Sequence, residues 1–490
     1  MNSLLTHHRT ALTLLCALSL SVCARAQSAR VNSIPTPHPL DPATNSTNPS
    51  ASATQSQNPY LGSVTVLPLQ PGVVKLSLAD AVKYALRANL GLIDSSVART
   101  EARAQRLRAM SQLLPHLEGT ISQHYTVLNS IAATGGQKVG LPANIGPYSD
   151  MAAQLEMSAS ALDLHSLYQY RSAGHNATAA AFGEQDSRNI VVLAAASSYI
   201  AIAASESRVR ADQAALDSAT TLETLMKDRV EHGVSPKIEW IRAQVATRTA
   251  QQRLDLARIQ LAKDKFALTR VIGLPVEQQI ELTTPLSYHT APSETLQTAL
   301  TSAVDHRSDL KAAVELSKAA DATLHSAQAR RLPTIKVNAT YGTAGITANH
   351  LYDDFDVSGS VRIPLFTGGE ITADVREAGT LAARRRAECE DLRNRVSFDV
   401  RSALLDLEGA EQSVSVATQN LDLAKEGLKE AQDRFDVGLS NSLDLVEGQE
   451  AQVEAQDNYI SSLYAHNLAK LMLIRATGTA EQDLATYVGD

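Results

Sequence analysis

Cysteine is nearly missing from this chain, with three among 490 residues. Cys16 and Cys23 lie in the first 26 residues, and Cys389 stands alone in a helical pattern. Once the leader is removed, no intrachain disulfide and no cysteine-held metal site can form. Histidine occurs 13 times but is scattered, without the spacing that metal ligands need. There is no glycine-rich phosphate loop and no nucleophile elbow. No catalytic, cofactor or metal residues are therefore assigned. After Ala26 no apolar run approaches 20 residues, the length a spanning helix requires.

A basic balance is lacking too. Lys and Arg number 44 against 52 Asp and Glu, a formal charge of -8. Residues 1–26 carry Arg9 and Arg25 and no acid, so without them the charge is -8 - 2 = -10. That argues against general binding to nucleic acid.

Residues 1–26 read as a secretory signal peptide. Arg9 makes the front positive, 11–22 is apolar, and Ala24-Arg25-Ala26 is a small-x-small cleavage site. Cys23 invites a lipid anchor, although Val22 before it is larger than the usual Gly or Ala. Residues 27–74 are rich in Pro, Ser, Thr and Asn and are expected to be an extended, disordered leader.

The rest is written twice. Arg229, Gly233, Ser235, Glu239 and Gln244 match Arg434, Gly438, Ser440, Asp444 and Gln449, each 205 positions on. Further forward, 78–92 matches 296–310, and Leu114-Pro115 matches Leu332-Pro333, at an offset of 218. The 13-residue difference falls across a pair of strands, so the first strand loop, 129–150, is expected to be the longer. The expected domains are a first repeat over 75–275, a linker over 276–295, a second repeat over 296–480 and a tail over 481–490.

Each repeat opens with helix. Ser77 caps the first piece, and Asn89-Leu90-Gly91 breaks it. After Pro115 the period becomes two. Leu117, Gly119, Ile121 and Tyr125 fall on one face, and Glu118, Thr120, Ser122 and His124 on the other. Strands are expected near 116–128, 151–163, 334–343 and 354–366. Long, Ala-rich helical patterns follow, 164–231 and 370–435, with returns over 237–272 and 443–477. The first of these would reach about 100 Å. Gly233 and Gly438 stop the long helices, since only glycine takes left-handed angles cheaply. Ser440 or Ser442 is expected to cap the second return, where Asp444 and Glu447 share a face.

Four strands cannot close a barrel, and open edges in hydrocarbon leave backbone groups unpaired. Strands with one wet and one apolar face suit a barrel with an aqueous lumen. Several chains must contribute, and three would supply twelve strands. A soluble two-stranded flap over a helix pair is the rival reading of these strands. For the long helices the rival is a solid coiled-coil rod.

The chain resembles the TolC-like outer-membrane efflux family (outer-membrane factors) over 76–484. The carrying motifs are Leu113-Leu114-Pro115-His116-Leu117, Pro364-Leu365-Phe366-Thr367-Gly368-Gly369, the tip 435–449, and Ala476-Thr477-Gly478-Thr479-Ala480-Glu481-Gln482-Asp483-Leu484. The resemblance implies a mainly α fold with a β-barrel part. A homotrimer would form a 12-stranded outer-membrane β-barrel continued by a long periplasmic α-helical barrel. It implies a passive conduit of a tripartite efflux or type I secretion system, with a periplasmic adaptor, an inner-membrane pump and outer-membrane lipid as partners. The family's gate acids fall on Asp444 and Glu447, the second being Glu rather than Asp. A basic residue of the family's closed state falls on Ser440, and an aromatic one on Phe435, which has no hydroxyl to donate. Gly233, Ser235, Glu239, Phe435, Gly438 and Ser440 are the expected hairpin tips and adaptor-docking residues. In the first half, Leu162-Asp163-Leu164-His165 departs from the Leu365-Phe366-Thr367-Gly368 turn of the second. The missing motifs argue against an enzyme. The remaining alternative is a secreted periplasmic coiled-coil scaffold or adaptor without a channel.

Overall fold

The structure, a computed structural model, describes residues 58–488 apart from 66, 67, 70, 134, 136–139, 141, 293, 348 and 349. The expected signal peptide, with Cys23, lies outside the described residues. So does the leader as far as residue 57.

The duplication is explicit in the element lengths. Helices α1 (Leu78–Ala88) and α5 (Leu296–His306) each have 11 residues, and α2 (Leu90–Ser111) and α6 (Ser308–Ala329) each have 22. Strands β2 (His116–Asn129) and β5 (Thr334–Thr347) each have 14. The long helices α3 (Leu164–Glu231) and α7 (Glu370–Asp436) have 68 and 67, and their returns α4 (Lys237–Ile272) and α8 (Ser442–Thr477) have 36 each. Strands β3 (Asn144–Leu162) and β6 (His350–Arg362) complete the two hairpins.

The four long strands form one antiparallel sheet in the order β2-β3-β5-β6. Register sorts its faces. Leu117 lies opposite Met157, Leu155 opposite Tyr341, and Tyr341 opposite Phe355. On the other face Glu118 pairs with Glu156, Glu156 with Thr340, and Thr340 with Asp356. The apolar face is bare: Ile121 is 78% exposed and Phe355 70%. A soluble flap would bury such a face, so the sheet is dressed for hydrocarbon on one side and water on the other.

Below the sheet the helices stand as a strip. Packed neighbours run α2–α3–α6–α7 near the sheet and α4–α3–α8–α7 further away. Between the tiers lies the main core, built on Val191, Val192, Ile200 and Ile202 of α3 and on Leu471, Leu473 and Ile474 of α8. An 18-residue window of α3 reaches a mean hydropathy of 1.6, enough by composition for a membrane span, but more than half of it is buried in the protein. Its apolar character thus serves this core. Arg307, held locally by Asp309 of α6 at 2.7 Å, ties the junction of α5 and α6 to α7 through Asp399 at 2.8 Å. Gly478, in the fourth motif, has φ 84, and a Cβ there would lie 2.7 Å from the Arg307 nitrogen. That motif is a close-approach turn.

Four expectations change. The stretch from Asn58 is structured: Asn58 caps a short helical turn, Tyr60 bonds Ser187 at 3.2 Å, and β1 (Val74–Leu76) pairs in parallel with β4 (Ile280–Leu282) inside the expected linker. β3 begins at 144, not near 151, because a register shift between Thr126 and Leu128 absorbs Gly146-Pro147. Proline has no N–H for a ladder and is tolerated at such a bulge. The second hairpin also runs further than expected, to Thr347 and from His350, because its ladder stays paired to the turn. The expected tail is helical as α9 (Ala480–Val488).

Candidate functional site: the paired helical tips

Both long helices end in the same turn. At the first tip the Val234 N–H donates to the Arg229 carbonyl at 2.8 Å and the Gly233 N–H to the Val230 carbonyl at 3.0 Å. At the second, Leu439 donates to Arg434 at 2.8 Å and Gly438 to Phe435 at 3.1 Å. This is the Schellman arrangement, which satisfies two orphan carbonyls and needs a left-handed residue. Gly233 and Gly438 supply it at φ 72 and 76.

The return helices start differently. The cap of α8 is Asn441, not Ser440 or Ser442. Its side chain accepts from Leu443 N at 2.8 Å and Asp444 N at 3.3 Å. The Ser440 hydroxyl donates instead to Asp444 Oδ2 at 2.7 Å, and Ser442 is buried. Three residues of capping type stand in a row, and Asn441 is extended immediately before the first helical turn. At the first tip Pro236 takes the cap position with no side-chain bond. Ser235 and Glu239 are half-buried there.

Asp444 and Glu447 project from the first turns of α8 and are both exposed. The Ser440 bond fixes one oxygen of Asp444. Phe435 does not present itself to a partner. It is 3% exposed and sits in a small core with Leu222, Met226, Ala243, Leu428 and Leu445, flanked by Trp240. The Arg229 guanidinium covers its ring at 4.2 Å from the centroid. An arginine at the end of α3 thus pins an aromatic at the end of α7, and the two tips are held as one block. Sequence reasoning missed this stack. Arg229 was visible only as the repeat mate of Arg434.

The strand-to-helix turns also differ for a reason. Asp163 caps α3 by accepting from Ser166 N at 3.1 Å, whereas Gly369 at φ 91 opens α7. A capping aspartate and a left-handed glycine make the same corner by different means.

Amphipathic strands above long paired helices define a membrane-channel type of fold. Residues 299–479 match the family model described as outer membrane efflux protein. The chain is 25% identical over 285 residues to the toluene efflux pump outer membrane protein TtgF of Pseudomonas putida, covering 55% of this chain and 58% of that protein. It is 24% identical over 237 residues to the outer membrane protein TolC of Vibrio cholerae, covering 47% and 54%. The chain spans somewhat under two thirds of the length of these curated relatives. In fold it is similar to the Campylobacter jejuni CmeC outer membrane channel, with a TM-score of 0.74 at 16% identity over 93% of this chain and 95% of that one. The second repeat of the chain thus matches the outer membrane efflux protein model, and the fold is similar to that of solved outer-membrane channels.

Proposed function

We propose that this protein is the outer-membrane channel of a tripartite efflux or type I secretion system. It acts as a passive export conduit, driven by an inner-membrane pump through a periplasmic adaptor. One observation carries the reading: the protomer is a strip with two open edges at every level. One edge is β2, α2 and α4, and the other is β6 and α7. β2 and β6 run antiparallel to each other, so β6 of one copy can continue the ladder onto β2 of the next. Two copies would give eight strands, a barrel that side chains fill, whereas three give twelve and leave a lumen.

The helical edges support the same closure. α4 exposes Ile238, Ile241, Val245, Leu256, Ile259 and Phe266 in spacings of three, four, seven and eleven. α7 exposes Phe398, Leu405, Val416 and Leu423 in spacings of seven and eleven. Over 237–272 there are eight Lys and Arg against three Asp and Glu, a net of +5; over 398–436 there are four against nine, a net of -5. Opposite charge beside two apolar seams favours pairing of α4 with α7 of a neighbour.

In this reading 75–275 and 296–480 are the two efflux repeats. The tips at Gly233 and Gly438 form the adaptor-docking end. Three copies of Asp444 and Glu447 would converge as a cation-attracting entrance. Selection of cargo rests with the pump. The test is reconstitution: mass in detergent and conductance across a planar bilayer. Trimers that conduct are expected, and a stable folded monomer with its strands intact overturns the reading. A soluble periplasmic pool would favour the scaffold.

A further inference from the structure

Between the two helical hairpins of a protomer runs a cleft of about 710 Å³. Its floor is α3 and α8, its rims are α4 and α7, and Leu286 lines it from the segment after β4. The apolar lining comes from Leu428, Val446, Val453, Ile460 and Leu463. Asp212 points into it from α3 and is only 5% exposed. Among the described residues its carboxylate makes no hydrogen bond or ion pair. Its neighbour across the cleft, Asp457, is held by Arg208 Nε at 3.4 Å. Burial pushes the Asp212 carboxyl above its ordinary range. The Asp457 charge adds to that, and Arg208 and Arg253 oppose it.

A carboxylate set in the wall of an apolar cleft favours a cationic partner, because a charge drawn out of bulk water is costly unless paired. The cleft has the size of a small-molecule site, which falls at about 300–1,000 Å³, and combines apolar walls with the carboxylates of Asp212, Glu450 and Asp457, beside Arg210 and Arg253. We propose that it binds an organic cation with an apolar body, the charge pairing with Asp212 and the body covering Leu428, Val453 and Ile460. Arg253 is the internal competitor, because it lines the same cleft. Asp212 and Asp457 lie on the middle helices of the strip, and the open edges are α4 and α7. The exposed seam residues of α4 and α7 do not line the cleft, so the site stands whether or not the channel reading holds.

Two ions of one shape and opposite charge test it: tetraphenylphosphonium and tetraphenylborate, titrated by calorimetry into the detergent-solubilised full chain. Saturable binding of the phosphonium, one per chain, and none of the borate is expected. Asp212→Asn should weaken phosphonium binding about tenfold or more, the scale of a lost charge-assisted contact. Arg253→Gln should strengthen it. Ala215→Phe, which fills the cleft and keeps the acid, should abolish it. Helical circular dichroism checks that each variant folds. Equal binding of the borate, or an affinity within twofold in folded Asp212→Asn, overturns the proposal. So does full binding in folded Ala215→Phe. Conductance of the same preparation reports on the channel separately.

Discussion

The stack of Arg229 on Phe435 makes a quantitative prediction about how firmly the two tips are joined. Phe435 fills the centre of a small apolar cluster, so Phe435→Ala should cost about 3–5 kcal/mol locally. Phe435→Leu keeps most of the volume and should cost about 1.5 kcal/mol or less. Arg229 is half-buried at 4.2 Å from the ring centroid. Its cation–π contribution should therefore be about 0.5–1 kcal/mol. Arg229→Gln leaves the backbone carbonyl that caps the first tip in place. The loss should appear as faster amide exchange at Leu439, by about two- to fivefold, since about 1.4 kcal/mol corresponds to tenfold. In the Phe435→Leu background the same change should have almost no further effect, because the ring is gone. If Arg229→Gln accelerates exchange equally in both backgrounds, the guanidinium acts on something other than the ring, and the account of the joined tips fails.

Other outcomes are equally checkable. Gly438→Val forces a β-branched residue to φ 76. It should raise tip exchange and abolish efflux while leaving membrane insertion intact. The pair Asp444→Asn and Glu447→Gln should weaken cation selectivity and block by divalent cations in a planar bilayer, and unchanged conductance properties would reduce both to helix-start residues. Glu118, Glu156 and Asp356 share one cross-strand level on the polar face of the sheet. Like charges directly opposite one another are destabilising. Neutralising Glu118 and Glu156 should raise the melting temperature and lower cation selectivity together. His466 and Lys470 are fully buried on α8, and their side-chain nitrogens have no hydrogen-bond partner. Burial, with the neighbouring lysine, lowers His466 to about 4 from 6.5, so the unfolded chain binds the extra proton between those values. Stability should fall as pH drops from 6.5 towards 4, and His466→Gln should flatten that limb of a thermal-melt profile. Burial lowers Lys470 to about 8 from 10.5, so stability should rise from pH 8 to 10.5, and Lys470→Met should remove that rise.

The sequence by itself determined whatever is encoded at short range. A period of two after Pro115 fixes which strand residues share the apolar face, because alternation is a property of the backbone. The glycine stops at Gly233 and Gly438 were legible because one residue type takes the required angle. The duplication was legible because matching residues recur at fixed offsets of 205 and 218. Contacts between residues far apart in sequence were left open. Phe435 looked like a surface aromatic of the tip until Arg229, 206 positions earlier, was found over its ring. Three residues of capping type stand in a row at 440–442, and the folded turn places Asn441 at the cap. The segment at 280–282 became a strand because Val74–Leu76 reaches it from the other end of the first repeat. Asp212 reads as an ordinary helical acid, and only the meeting of four helices sets it in the wall of a cleft. Periodicity tells each element which face to hide. Which neighbour hides it depends on chain geometry summed over hundreds of residues, and no local pattern carries that sum.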